Sequence, residues 1–106
     1  MKIDLNKIEV PPYLPDSEEV RGDIADYYAE IQHFDREVAG FISLLKEMGQ
    51  MDNTIIIVVS DNGWQFPRGS ANLYDMGTKI PMITSKPDRF KGGRVVNDFL
   101  TLTDFA

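Results

Sequence analysis

Apolar residues follow two rhythms along this chain. Between Asp16 and Gly49, Val20, Ile24, Tyr27, Ile31, Phe34, Val38, Phe41, Leu45 and Met48 recur at spacings of three and four, the repeat of one helix face. Tyr28, Ile42 and Leu44 widen that stripe, which favours a helix laid on a sheet over a coiled-coil seam. Asp16, with Glu19 three residues later, predicts the N-cap and its capping-box partner. Gly49 suits a left-handed C-cap. Before this helix, Pro11, Pro12 and Pro15 disfavour helical backbone at the residues preceding them, so residues 1–16 read as an extended arm.

After Asp52-Asn53 the rhythm changes. Thr54-Ile-Ile-Ile-Val-Val-Ser60 holds five consecutive β-branched apolar residues without alternation, the pattern of a strand covered on both faces in a central parallel sheet. It stops at the polar turn Asp61-Asn62-Gly63. Residues 64–79 read as a loop, and Ile80-Pro-Met-Ile-Thr84 as a second strand with Pro81 near its start. Lys86–Gly93 is a turn, Val95-Val96 a short edge strand, and Thr103-Asp104-Phe105 the opening of a further helix. The order is α/β, with one long helix and two or three strands. A doubly covered strand needs more neighbours than these residues supply, and Ala106 falls where a helix begins. The expectation is therefore an extended arm, 1–16, followed by a partial α/β domain, 17–106, cut from a larger fold and prone to self-association through uncovered strand edges.

Composition narrows the chemistry. The chain has 106 residues, 11 Lys plus Arg against 17 Asp plus Glu, a net charge of −6, one histidine and no cysteine. The acidic balance argues against nucleic-acid or anionic-membrane binding. Without cysteine there are no disulfides, thiolate metal sites or cysteine nucleophiles, and His33 alone cannot build a multi-histidine zinc site. The apolar run Ile55–Val59 is too short to span a bilayer, and Met1-Lys2-Ile3-Asp4 does not open a signal peptide. No compartment is assigned.

The candidate chemistry lies at the carboxyl end of the first strand, where open α/β sheets place their ligands. Asp61 and Asn62 there offer two hard oxygen donors, suited to calcium or magnesium. The same residues also suit a simple Asx-turn. Trp64 follows directly and can line a pocket or pack.

Tyr27-Tyr28-Ala-Glu-Ile-Gln-His-Phe-Asp-Arg-Glu-Val38, the strand Thr54–Ser60, Asp61-Asn62-Gly63, Phe66-Pro67 and Asn72-Leu-Tyr-Asp-Met-Gly77 together resemble, in order, the sulfatase family. The likeness is to the C-terminal part of the catalytic domain in bacterial sulfatases of the N-sulfoglucosamine sulfohydrolase type. It implies a piece of the alkaline-phosphatase-like α/β/α sandwich, from a hydrolase of sulfate esters or sulfamates on a sulfated small molecule or glycan. It also implies that Asp61 and Asn62 are calcium ligands, and that the remaining ligands and the formylglycine nucleophile lie outside these residues. The chain alone is then expected to be inactive. Where relatives carry Lys or Arg shortly after Phe-Pro this chain has Ser70, so Arg68 becomes a candidate substrate contact in a shifted register, with Trp64 beside it.

Ser85-Lys-Pro-Asp-Arg89 matches the opening of the formylglycine signature. That signature, however, precedes the Asp-Asn-Gly loop in the family and continues toward Leu-Thr-Gly, whereas Phe90-Lys-Gly-Gly-Arg94 follows here. Ser85 is therefore read as part of a turn and rejected as nucleophile. Two alternatives stand beside the sulfatase reading: a phosphodiester or phosphonate hydrolase of the same superfamily, and a non-catalytic interaction module. Parent enzymes of this family are often periplasmic or secreted.

Overall fold

The computed structural model describes residues 3–105; Met1, Lys2 and Ala106, on which the expectations about the N-terminus and the chain end rest, lie outside the described residues. A single turn of 3-10 helix, Leu5–Lys7, interrupts the otherwise irregular arm. Helix α1 then runs from Glu18 to Glu47. Its cap is Ser17 rather than Asp16: the Ser17 Oγ accepts from the Val20 N–H at 3.3 Å. The predicted capping box fails because the Asp16 carboxylate is committed elsewhere, to Arg21 through two bonds of 2.6 and 2.8 Å. Arg21 also donates to the carbonyls of Leu5 and Ile8, at 2.8 and 3.0 Å, and so fastens the arm to the first turns of the helix. At the other end Gly49 adopts φ 66° as expected. The Gln50 N–H bonds the Leu45 carbonyl and the Gly49 N–H that of Lys46, which is the pair of reversed bonds of a Schellman motif.

Strand β1 spans Ile56–Val59 and strand β2 spans Met82–Ser85. They pair antiparallel, Ile56 opposite Ser85 and Val59 opposite Met82, which corrects the expectation of a parallel sheet. A parallel pair needs a crossover that returns the chain to its starting end. Here the connection carries one helical turn, α2 (Asp75–Thr78), and doubles back, closing with Ser60 N–H bonded to the Pro81 carbonyl at 3.4 Å. Burial in β1 alternates between half-buried Ile56 and Val58 and exposed Ile57 and Val59, so the strand is not covered on both faces as its composition predicted. Val95 and Val96 form no strand and are exposed. The predicted terminal helix is a 3-10 turn, Leu102–Phe105.

The N-terminal half of α1 packs best, with Ile24 fully buried and Val20 and Tyr27 half-buried. Further along, Phe34, Val38, Phe41, Ile42 and Leu45 line an open groove of about 250 Å³ against Ile56, Ile57, Val58 and Val59 of β1. The helix therefore faces the strand across this groove and does not pack closely on it, as a helix laid on a sheet would. The groove is shallow, and Tyr28, Phe34 and Phe41, which the sequence places on the apolar stripe of the helix, stay exposed. Among the described residues no helix is long and apolar enough to cross a membrane.

Candidate functional site

The antiparallel pairing gives the segment between the strands its shape. Asp61 and Asn62 stand at the neck of a long excursion, with only Ser60 between them and the last ladder pair, Val59 with Met82. The neck is closed by the Gly63 N–H, bonded to the Gly77 carbonyl at 3.2 Å. A Cβ at Gly63 would run into the Met76 carbonyl oxygen, and one at Gly77 into the carbonyls of Asn72 and Gly69. These two positions require glycine for close backbone approach. Further bonds fold the loop on itself: Gly69 N–H to Phe66 carbonyl at 2.8 Å, Ser70 N–H to Trp64 carbonyl at 2.7 Å, and Asn72 N–H to Gly69 carbonyl at 3.1 Å.

Within the turn, the Ser60 Oγ donates to the Asn62 carbonyl at 2.6 Å, and the Asn62 Nδ2 donates to the Gly63 carbonyl at 3.1 Å. The amide nitrogen is thereby occupied, and the Asn62 Oδ1 and both Asp61 carboxylate oxygens have no protein partner among the described residues. Both residues are exposed. An ionised carboxylate and an amide oxygen on adjacent residues suit a hard divalent cation, supplying two of the six to eight oxygens that calcium takes. Among the described residues no group of three or more His, Cys, Asp or Glu side chains gathers into a complete cage.

Trp64 is half-buried in an aromatic cluster. Its ring lies 4.7 Å from Phe66 and meets Tyr27 and Tyr13 edge-on at 6.3 and 6.5 Å; Tyr27 also meets Phe66 edge-on at 5.9 Å. This cluster joins the arm, the helix and the loop, so Trp64 packs. The Trp64 Nε1 and Tyr13 hydroxyl are buried without a hydrogen-bond partner among the described residues. Such orphaned donors cost about 1–3 kcal/mol each.

Arg68 reaches back to the same cluster. Its guanidinium carbon sits 5.1 Å from the Tyr13 ring centroid and 5.7 Å from that of Tyr74. The backbone there is left-handed, φ 63°, with Ala71 three residues on at φ 64°. For side chains with a Cβ this conformation costs about 1–2 kcal/mol and needs support from its surroundings. The partnership of Tyr13 with Arg68 had no sequence signal, since the two lie on segments with no shared pattern. Ser85, by contrast, sits opposite Ile56 at the far end of the ladder, five residues of roughly extended chain, about 16 Å, from Asp61. His33 is exposed on the helix.

The family model described as Sulfatase matches residues 8–106. The chain belongs to the sulfatase family. An ulvan-active sulfatase of Formosa agariphila is 32% identical to it over 100 residues, covering 94% of this chain and 17% of that protein. Human N-sulphoglucosamine sulphohydrolase is 34% identical over 98 residues, covering 92% of this chain and 20% of its own. An arylsulfatase of Clostridium perfringens is 32% identical over 90 residues, covering 76% and 18%. The sulfatase segment seen here thus spans about a fifth of the length of the curated relatives it matches.

Proposed function

We propose that these residues are the metal-loop segment of a sulfatase that hydrolyses sulfate esters or sulfamates on a glycan or smaller sulfated molecule. The observation that carries the reading is the pair of unpartnered oxygen donors, Asp61 and Asn62, held at the end of β1 by the glycine-closed neck. These two side chains would hold one side of a calcium ion. When bound, that ion supplies positive charge against the sulfate oxygens. The protein's own contribution is positioning: the Ser60 hydroxyl and the Gly63–Gly77 bond fix the turn, and the Asn62 amide nitrogen is tied back so that its oxygen faces outward. The formylglycine nucleophile and the remaining ligands would then belong to sequence outside these residues, a reading supported by the place of Ser85 opposite Ile56, at the far end of the ladder from Asp61.

Two measurements on the 106-residue chain test this. Titration with calcium, followed by amide NMR, is expected to shift the Asp61–Gly63 signals at about millimolar concentration or weaker, as two ligands allow, and Asp61→Ala is expected to abolish the response. Turnover of an aryl sulfate is expected to be absent. Robust turnover would reinstate Ser85, and a calcium response that survives Asp61→Ala would remove the metal assignment. In a protein of the relatives' length that carries these residues, Asp61→Ala is expected to lower kcat about a thousandfold.

A further inference from the structure

The loop after β1 holds a cation that the metal pair has no use for. In a chain with 17 carboxylates, none comes within ion-pair distance of Arg68 among the described residues. Its guanidinium instead lies over two aromatic rings, Tyr13 from the arm and Tyr74 from the residue before α2. Among the described residues its N–H donors enter no side-chain hydrogen bond and no ion pair, so the fork of the guanidinium is free. Arg68 is itself exposed, and Tyr74 is 58% exposed, so an open aromatic surface adjoins the free donors. The support is firm: the left-handed backbone at Arg68 is flanked by the Gly69-to-Phe66 and Ser70-to-Trp64 bonds.

These features suit one ligand chemistry. A planar fork of N–H groups pairs bidentately with a carboxylate or a sulfate, and a neighbouring aromatic ring packs against the apolar face of a pyranose. We propose that Arg68, Tyr13 and Tyr74 form a sugar subsite that takes an anionic substituent, a carboxylate or a sulfate, on a pyranose stacked at Tyr74. The proposal rests on the reading of this segment as part of a glycan-directed sulfatase and deepens it. The enzyme would then prefer sugars carrying an acidic group for Arg68 to hold.

The test uses the ¹⁵N-labelled 106-residue chain in chelator, so that the metal loop takes no part. Methyl glucuronide, glucose 6-sulfate, glucose and inorganic sulfate are titrated separately while the Arg68 Nε–Hε and Trp64 Nε1–Hε1 signals are followed. Saturable shifts are expected with the two acidic sugars, at affinities at least tenfold above those for glucose and for inorganic sulfate. Their relative strength identifies the preferred substituent. Arg68→Gln is expected to abolish the shifts of the Trp64 signal, and Arg68→Lys, which keeps the charge but loses the fork, to weaken binding about tenfold. Absence of saturable shifts with either acidic sugar, or Trp64 shifts that survive Arg68→Gln, overturns the proposal. An equal response to inorganic sulfate overturns the sugar subsite, leaving a bare anion site. Asp61→Ala is expected to leave all these shifts unchanged. A wild-type chain that gives no calcium response yet keeps the sugar response therefore counts against the metal assignment and not against this one.

Discussion

Arg21 joins three parts of the chain with one side chain: its fork grips the Asp16 carboxylate while its third nitrogen reaches the carbonyls of Leu5 and Ile8. The Arg21 guanidinium, chiefly through this hydrogen bonding, holds the Asp16 carboxyl below its ordinary value of 3.8. A carboxylate depressed in the folded state contributes above its ordinary pKa and loses its contribution as pH falls through the depressed one. The arm should therefore stay docked from neutral pH down to about 4 and loosen in stronger acid. Backbone ¹⁵N heteronuclear NOEs for Leu5–Ile8 would show this as a fall below that pH. Asp16→Asn is expected to give the loosened values throughout, and unchanged values into strong acid would mean that the carbonyl bonds suffice. At this scale the sequence exposed what local pattern governs. The turn at Asp61 and Asn62 was legible because it ends an apolar run. The Asp16 cap was misplaced by one residue because a distant-looking arginine, five positions on, competes for the carboxylate. The resting place of Arg68 against Tyr13 was illegible, since only the folded loop brings those segments together.

The elements differ in how tightly they are enclosed, and the glycines report it. Around Gly22 and Gly40 in α1 a Cβ would meet nothing within 4 Å, whereas one at Gly63 would collide with the Met76 carbonyl and lie 2.6 Å from the Gly77 Cα. Gly22→Ala and Gly40→Ala should each stabilise the helix by about 1 kcal/mol, because they reduce the freedom of the unfolded chain at no steric cost. Gly63→Ala and Gly77→Ala should instead cost about 1–3 kcal/mol and open the neck. Urea denaturation followed by circular dichroism separates the two classes; equal effects would show that the neck is not closely packed. Helix α1 and its Schellman end were legible because periodicity and a terminal glycine are local signals. The two strands were located, the first shorter than its apolar run and the second shifted to Met82–Ser85, so that Ser85, read from the sequence as part of a turn, is a strand residue. Their relative direction was not legible, because it depends on how residues 60–81 double back through backbone bonds that leave no hydrophobic pattern.

As a whole the molecule is extended. Its radius of gyration is 16.8 Å, against about 13 Å for a compact domain of this length, and Ile8 and Ile24 are the hydrophobic residues buried among those described. A content of 42% apolar residues ordinarily builds a core; here much of it lines the open face of α1 and β1. Composition told how much apolar surface there was, not what would cover it. The matched relatives are about five times as long, so the sulfatase fold has further chain with which to cover such a face. Among the described residues β1 has a partner on one edge only, while Phe41 is 67% and Ile57 43% exposed. An unpaired strand edge beside an apolar patch promotes pairing between copies. Sedimentation velocity should therefore show association that increases with protein concentration. Ile57→Lys combined with Val59→Lys, which puts charge on the exposed side of β1 and leaves the half-buried Ile56 and Val58 in place, should move the distribution toward monomer. A wild-type chain that stays monomeric at high concentration would mean that α1 and β1 shield each other across the groove well enough to need no further cover.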